Sequence, residues 1–229
     1  MSPFGVYITN GQTCGCISTD LAWENEVNVP FLGTSVLRWD QKNFILWFEF
    51  DLDGDGRLDI FVTNLDGENN ALYLSGSGAG YIESAVSTGL GTPSFPFTGF
   101  GTAMADLDHD GDEDVLVVNG RVTRSRAALP KGASFWDAFS EQNHIYLNEG
   151  GRFEFLASTR DPFVSTKEVS RALCLGDVDN DGDLDVLVTN LAGPARLYLN
   201  ESQKRGHYLQ VRLVEPKLGG RDAYGAKIT

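Results

Sequence analysis

The chain has 229 residues, 41% of them hydrophobic, with 26 glycines and a formal net charge of −14. That length and apolar content suffice for one large domain with a core, and the glycine content suits an all-β chain rich in turns. So acidic a surface excludes a binder of nucleic-acid phosphate, which needs Lys and Arg, and no run reaches the ~18 apolar residues of a membrane-spanning helix.

Met1–Tyr7 has neither a basic segment nor an apolar stretch, so it is not read as a secretion signal. Residues 1–43 form a lead-in or a degenerate repeat. Phe4–Thr9 is strand-like and runs into an Asn10-Gly11 turn signal. Cys14, Cys16 and Cys174 show neither a disulfide framework nor zinc spacing. From Phe44 the pattern becomes regular. Phe44–Phe50 is an apolar strand, and the acidic loop Asp51–Asp59 follows. Ile60–Thr63, Ala71–Leu74 and Tyr81–Glu83 are the next strands. Phe100–Ala105, the loop Asp106–Asp114, Val115–Val118, His144–Asn148 and Arg152–Phe155 repeat that order. Ala172–Gly176, the loop Asp177–Asp185, Val186–Thr189 and Arg196–Asn200 repeat it again. A repeat of about this length with four short antiparallel strands reads as a propeller blade. The second interval between loops is longer than the first. Its excess lies between Asn119 and His144, where Arg121–Arg126 and Phe135–Phe139 make a basic and aromatic insertion. This insertion is expected to be a surface loop with a short helix capped near Ser134, its aromatics packed back on the blade, or else a contact for a ligand. After a polar linker, His207–Val214 and Gly219–Thr229 begin a second β unit. The chain stops partway through it, which reads as a piece of a longer protein.

Each loop places Asp at positions 1, 3, 5 and 9 and Gly at position 6. Calcium takes six to eight oxygen ligands at roughly 2.3–2.6 Å in flexible geometry, and a tight loop with alternating carboxylates wraps one such ion. Three Ca²⁺ sites are expected. The first has Asp51, Asp53, Asp55 and Asp59 with the backbone carbonyl of Arg57. The second has Asp106, Asp108, Asp110 and Asp114 with the carbonyl of Asp112, and the third Asp177, Asp179, Asp181 and Asp185 with the carbonyl of Asp183. Gly56, Gly111 and Gly182 supply the sharp turn. An EF-hand is excluded because position 12 is Val62, Val117 or Val188 inside a β-branched run, and Mg²⁺ prefers fewer protein ligands.

Phe100-Gly101 followed by small residues and the Asp-x-Asp-x-Asp-Gly-x-x-Asp loop resembles an FG-GAP/VCBS-type repeat of the integrin-α kind. The Leu-Tyr-Leu-Asn segment and the Asn closing each loop strand are similar to the cartilage acidic protein family. Tyr208–Leu213, Arg221-Asp222 and Gly225-Ala226 resemble the start of the ASPIC/UnbV domain that follows the propeller there. Trp47–Phe50 and Ser170-Arg171 depart from the pattern. The resemblance implies an all-β fold: a partial β-propeller over 44–204, built of four-stranded antiparallel blades with calcium loops, and the start of a small β domain over 205–229.

It also implies an extracellular, cell-surface or periplasmic calcium-binding module for adhesion or binding, with structural ions and an unidentified protein or glycan ligand. Two alternatives stand beside it. One is a secreted hydrolase using paired carboxylates, for example on glycans. No nucleophile or zinc motif supports it, and His109, His144 and His207 read as lone exposed residues, so no catalytic residue is assigned. The other is a non-catalytic scaffold fragment whose open sheet edges self-associate. No nucleic acid and no membrane span enter any of these readings.

Overall fold

The computed structural model describes residues 52–201 apart from 54, 56, 78–79, 126–128, 130 and 158–159. It also describes the backbone of strands at 6–9, 14–17, 27–28, 36–40 and 45–50, and positions 214–215, 219 and 221–222. Asp51, His207, the side chains of residues 1–50 and most of the 205–229 unit expected from sequence lie outside the described residues.

Among the described residues every strand pairing is antiparallel. Strands β1 (Val6–Thr9) and β2 (Cys14–Ile17) pair with Thr9 opposite Cys14. Sheet 1 runs in chain order through β3 (Val27–Asn28), β4 (Val36–Asp40), β5 (Ile45–Phe50), β6 (Asp59–Val62), β7 (Ala71–Ser75) and β8 (Tyr81–Glu83). Two strands from before residue 44 therefore extend the expected four. Two single-turn helices, α1 (Ala85–Thr88) and α2 (Gly91–Ser94), lead to sheet 2. This sheet is the four-stranded meander β9 (Gly99–Ala105), β10 (Asp114–Asn119), β12 (His144–Asn148) and β13 (Phe153–Phe155). Between β10 and β12 lie a 3-10 turn at Trp136–Phe139 and the short β11 (Glu141–Gln142). Helix α3 (Pro162–Ser165) begins on Asp161, whose Oδ1 accepts the Phe163 N–H at 2.8 Å. The short β14 (Lys167–Glu168) pairs with β11. Sheet 3 comprises β15 (Ser170–Gly176), β16 (Asp185–Asn190) and β17 (Arg196–Tyr198), three strands among the described residues. A last pair, β18 (Val214–Glu215) and β19 (Arg221–Asp222), stands apart from it in the strand order.

Strand alternation gives each sheet two faces. Register places Phe61 and Leu72 on one face of sheet 1, Leu116 and Ile145 on the same face of sheet 2, and Leu187 and Leu197 on that of sheet 3. We name this face A. Face B carries Ile60 and Tyr73, then Val115 and Tyr146, then Val186 and Tyr198. One core cluster joins Phe61 and Leu72 to Met104, Val115, Val117 and Tyr146, so face A of sheet 1 packs on face B of sheet 2. The other joins Leu116, Val118 and Ile145 to Val186 and Val188, which is face A of sheet 2 on face B of sheet 3. The sequence reflects this stacking. Strand β10, covered on both sides, reads Val-Leu-Val-Val, and all six of its residues are buried. In β16 the residues Leu187 and Thr189 are exposed.

Gly101 sits where β15 crosses β9. A Cβ there would lie 3.0 Å from the Ala172 Cα and 3.1 Å from the Leu173 nitrogen. Arg171, next in line, places its guanidinium 3.9 Å from the centre of the Phe100 ring. It also donates to the carbonyls of Gly120 at 3.0 Å and Arg121 at 3.2 Å. The departure of Ser170-Arg171 from the repeat pattern is thus an inter-sheet contact.

The insertion folds on itself. The Ser134 nitrogen and hydroxyl both donate to the Asp137 carboxylate, at 2.6 and 2.9 Å, closing the expected turn. Its aromatics differ from expectation. Phe135 is 63% exposed, and Phe135, Trp136 and Phe139 lie 5.2–5.8 Å apart, packing on one another. Arg121 is anchored rather than presented to solvent. Its guanidinium reaches Asp66 at 2.9 Å, the buried Glu141 at 3.0 Å and the Pro96 carbonyl at 3.0 Å.

Candidate metal centres

The three acidic loops each bridge the corresponding pair of strands in one sheet: β5 to β6 in sheet 1, β9 to β10 in sheet 2, and β15 to β16 in sheet 3. The position 9 carboxylate ties each loop shut. One oxygen accepts the N–H of position 2: Leu52 to Asp59, Leu107 to Asp114 and Val178 to Asp185, all at 2.9 Å. The other accepts a backbone N–H from the strand that follows the loop's second strand, or from two residues past it: Ser75 of β7 at 2.8 Å, Asn148 of β12 at 2.8 Å and Asn200 beyond β17 at 2.9 Å. Asp59, Asp114 and Asp185 are all buried. Burial pushes the Asp114 carboxyl up to about 6, against the opposing pull of the Asn148 and Leu107 N–H groups.

The remaining carboxylates curl the loop inward. Asp106 accepts the N–H groups of Asp110 and Gly111, both at 3.1 Å. Asp177 accepts those of Asp181 and Gly182 at 3.1 and 3.2 Å. Position 5 accepts from position 7 in all three loops: Arg57 to Asp55 at 2.9 Å, Asp112 to Asp110 at 3.0 Å and Asp183 to Asp181 at 3.0 Å. Gly111 and Gly182 take φ of 100° and 96°. A Cβ at Gly111 would meet nothing within 4 Å, so the glycine answers a conformational need rather than a steric one. His109 and Asn180, at position 4, also have left-handed φ, of 59° and 62°. Gly54 stands at that position in the first loop, so all three residue types there tolerate this conformation.

Of the candidate ligands, carboxylate oxygens of Asp106, Asp108 and Asp114 lie within 4.8 Å of one another. So do those of Asp177, Asp179 and Asp181. Two oxygens on opposite sides of one calcium ion would be about that far apart, and an all-oxygen anionic donor set suits a hard cation, so these residues fit the ion. Asp110 and Asp185 fall outside the two groups. Asp53, Asp55 and Asp59 stand in the first loop, whose Asp51 is not described. The position 7 side chains point to other work. Arg57 contacts Asp55 and the Ser75 carbonyl, Asp112 accepts the Gly150 N–H at 2.7 Å, and Asp183 accepts from His109.

The expectation of lone, exposed histidines fails for both described ones. His109 Nε2 lies 2.7 Å from Asp183 Oδ1, with both side chains nearly buried, joining the second loop to the third. His144 is buried against Phe97 and Phe155, its Nδ1 3.1 Å from the Tyr146 hydroxyl, and desolvation lowers its pKa to about 4. Two asparagines also link neighbouring repeats. Asn148 Nδ2 donates to the Leu52 carbonyl at 3.3 Å, and Asn200 Nδ2 to the Leu107 carbonyl at 2.9 Å. The recurring Asn after Leu-Tyr-Leu or Ile-Tyr-Leu was the visible signal for this latch. The Asn closing each loop strand is explained as well: Asn64, Asn119 and Asn190 each donate to a carbonyl of the following connection.

The family model for the FG-GAP-like repeat matches residues 51–117 and 135–188, just over half of the chain. The gap between the two matched segments contains the start of the insertion. The chain is 29% identical over 138 residues to mouse cartilage acidic protein 1, covering 58% of this chain and 18% of that protein. To the human protein of the same name it is 25% identical over 134 residues, covering 58% and 17%. The chain thus spans less than a fifth of the length of these relatives.

Proposed function

Because the chain belongs to the FG-GAP-like repeat family, we propose that it is a calcium-stabilised binding or adhesion module whose ions rigidify the blades of a β-propeller. The observation that carries this reading is the convergence of three carboxylates in each of two loops, Asp106, Asp108 and Asp114, and Asp177, Asp179 and Asp181. By repetition of sequence, Asp51, Asp53, Asp55 and Asp59 form the third site. The side chains of Arg57, Asp112 and Asp183 have other partners, which leaves the backbone carbonyl as the ligand at position 7.

The ions have a structural role. When bound, each supplies the positive charge that holds its cluster of carboxylates together. The loop residues position themselves through backbone N–H groups, and the buried Asp at position 9 sets the strand separation. The module works outside the cytoplasm, on a cell surface or in a periplasm, and recognises a protein or glycan ligand. Propeller blades follow from the family and are consistent with the antiparallel meander of sheet 2.

An ion that binds only the folded state adds about 2.7 kcal/mol at 100 times its Kd. Exhaustive chelation is expected to lower the thermal midpoint and added calcium to restore it, and calorimetric titration is expected to count three sites. A melt that chelation leaves unchanged would remove the reading.

A further inference from the structure

The acidic loops are tied to one another, and among the described residues the ties are unequal. Two of them join the second loop to the third. His109, at position 4 of the second, has Nε2 2.7 Å from Oδ1 of Asp183, at position 7 of the third, and the side chains are 10% and 3% exposed. His109 adjoins Asp108 of one carboxylate group, and Asp183 stands two positions after Asp181 of the other. Asn200 makes the second tie. Its N–H donates to Asp185 Oδ1 at 2.9 Å, and its side-chain amide donates to the Leu107 carbonyl at 2.9 Å. One residue thus holds position 9 of the third loop and position 2 of the second. Between the first and second loops, Asn148 repeats this latch at a longer 3.3 Å. The His–Asp pair has no counterpart there. Position 4 is Gly54, which brings no side chain, and Asp112 at position 7 accepts the Gly150 N–H from the turn between β12 and β13.

We propose that the second and third sites bind calcium cooperatively, coupled by the His109–Asp183 pair and the Asn200 latch. The coupling rests on the calcium reading proposed above. Without an ion, the carboxylates within a loop repel one another and favour an opened loop. Each tie needs the closed shape on both sides. Opening one loop takes a buried hydrogen-bond partner from the other. Closing one loop therefore pre-arranges its neighbour, and filling either site tightens the other by the same factor.

The test is a calcium titration of the chain at fixed pH, followed by ¹H–¹⁵N NMR. The N–H groups of Arg57, Gly111 and Gly182 donate to Asp55, Asp106 and Asp177, so their signals report the three loops separately. Asp177→Ala removes a ligand from the third loop and is expected to move the Gly111 midpoint to about tenfold higher calcium. Asp106→Ala is expected to move the Gly182 midpoint by the same factor. The Arg57 midpoint is expected to stay within about twofold in Asp177→Ala. His109→Asn keeps every carboxylate and brings a residue that tolerates the left-handed φ, as Asn180 does, but is too short to reach Asp183. In that background the effect of Asp177→Ala on Gly111 is expected to be at least about threefold smaller. A Gly111 midpoint that Asp177→Ala leaves in place overturns the proposal, while the calcium reading stands. So does a shift that Arg57 shares, or one that His109→Asn leaves undiminished. No calcium-dependent change at any of the three signals overturns both.

Discussion

Asp114 illustrates how one carboxylate serves both loop and sheet. Its two oxygens accept the buried N–H groups of Leu107 and Asn148, and it also belongs to the triad with Asp106 and Asp108. Removing it leaves two backbone donors unsatisfied in the interior, each costing about 1–3 kcal/mol. Asp114→Ala is therefore expected to lose roughly 2–5 kcal/mol in urea unfolding even with chelator present. Asp110→Ala, which removes an exposed acceptor for the Asp112 N–H, should cost less than about 1 kcal/mol under the same conditions. Equal losses would mean that Asp114 matters only as a metal ligand. His144 gives a pH dependence. Its folded pKa is about 4 because burial disfavours the cation, against about 6.5 unfolded. The unfolded state binds the extra proton first, so the stability is fully present above about pH 6.5 and is lost as pH falls toward 4. At pH 5 the loss attributable to His144 is roughly 2 kcal/mol. Wild type should weaken between pH 7 and pH 5 by about that much more than His144→Phe, measured by urea unfolding in chelator. Parallel pH profiles would show that His144 does not titrate as its burial requires.

Elements meet closely where small residues permit it, and Gly101, between β9 and β15, is one such case. An added Cβ meets backbone atoms of β15, which cannot rotate away as a side chain would. Gly101→Ala should lower stability by about 1–3 kcal/mol by forcing β9 and β15 apart, read as a shift in urea midpoint. A shift within the error of wild type would mean that the sheets slide freely. Much of this level was legible in the chain. Acidic loops, loop strands and the strand after them recur in the same order, with an insertion only before His144, and alternation within each strand reports which residues line a buried face. What sequence could not show were contacts between units. The Asn148 and Asn200 amides were visible as recurring residues, but their carbonyl partners lie 96 and 93 positions away. His109 and His144 carry no pattern at all, and single polar residues default to the surface until a neighbour covers them. Arg121 was read as part of a basic patch because its partners are distant in sequence: Asp66 lies 55 positions earlier, and Glu141 lies in β11 beyond the insertion. In the site, the carboxylate spacing predicted four converging aspartates per loop, and in the second and third loops three of the four come together. It did not reveal that position 9 is occupied by two backbone N–H groups.

At the scale of the molecule, three sheets in series make a quasi-one-dimensional stack, in which each unit is held by its neighbours. Sheet 2 has two covered faces, and its loop is linked in both directions. Asn148 reaches back to the first loop, while His109 and the Leu107 carbonyl receive contacts from the third repeat. Sheet 3 has one covered face among the described residues, and sheet 1 keeps Tyr73 in solvent. Local opening should follow that order, because an amide opens with the cooperative unit that buries it. In dilute calcium-loaded protein, amide exchange is expected to be slowest in β10 and β12. It should be at least about tenfold faster in β16 and β17, whose outer face carries the exposed Leu187 and Leu197. Hydrogen-exchange mass spectrometry on the dilute sample reads the difference. If β16 is as slow as β10 in the dilute sample, its outer face is covered within a single chain, and the stack is not open at that end.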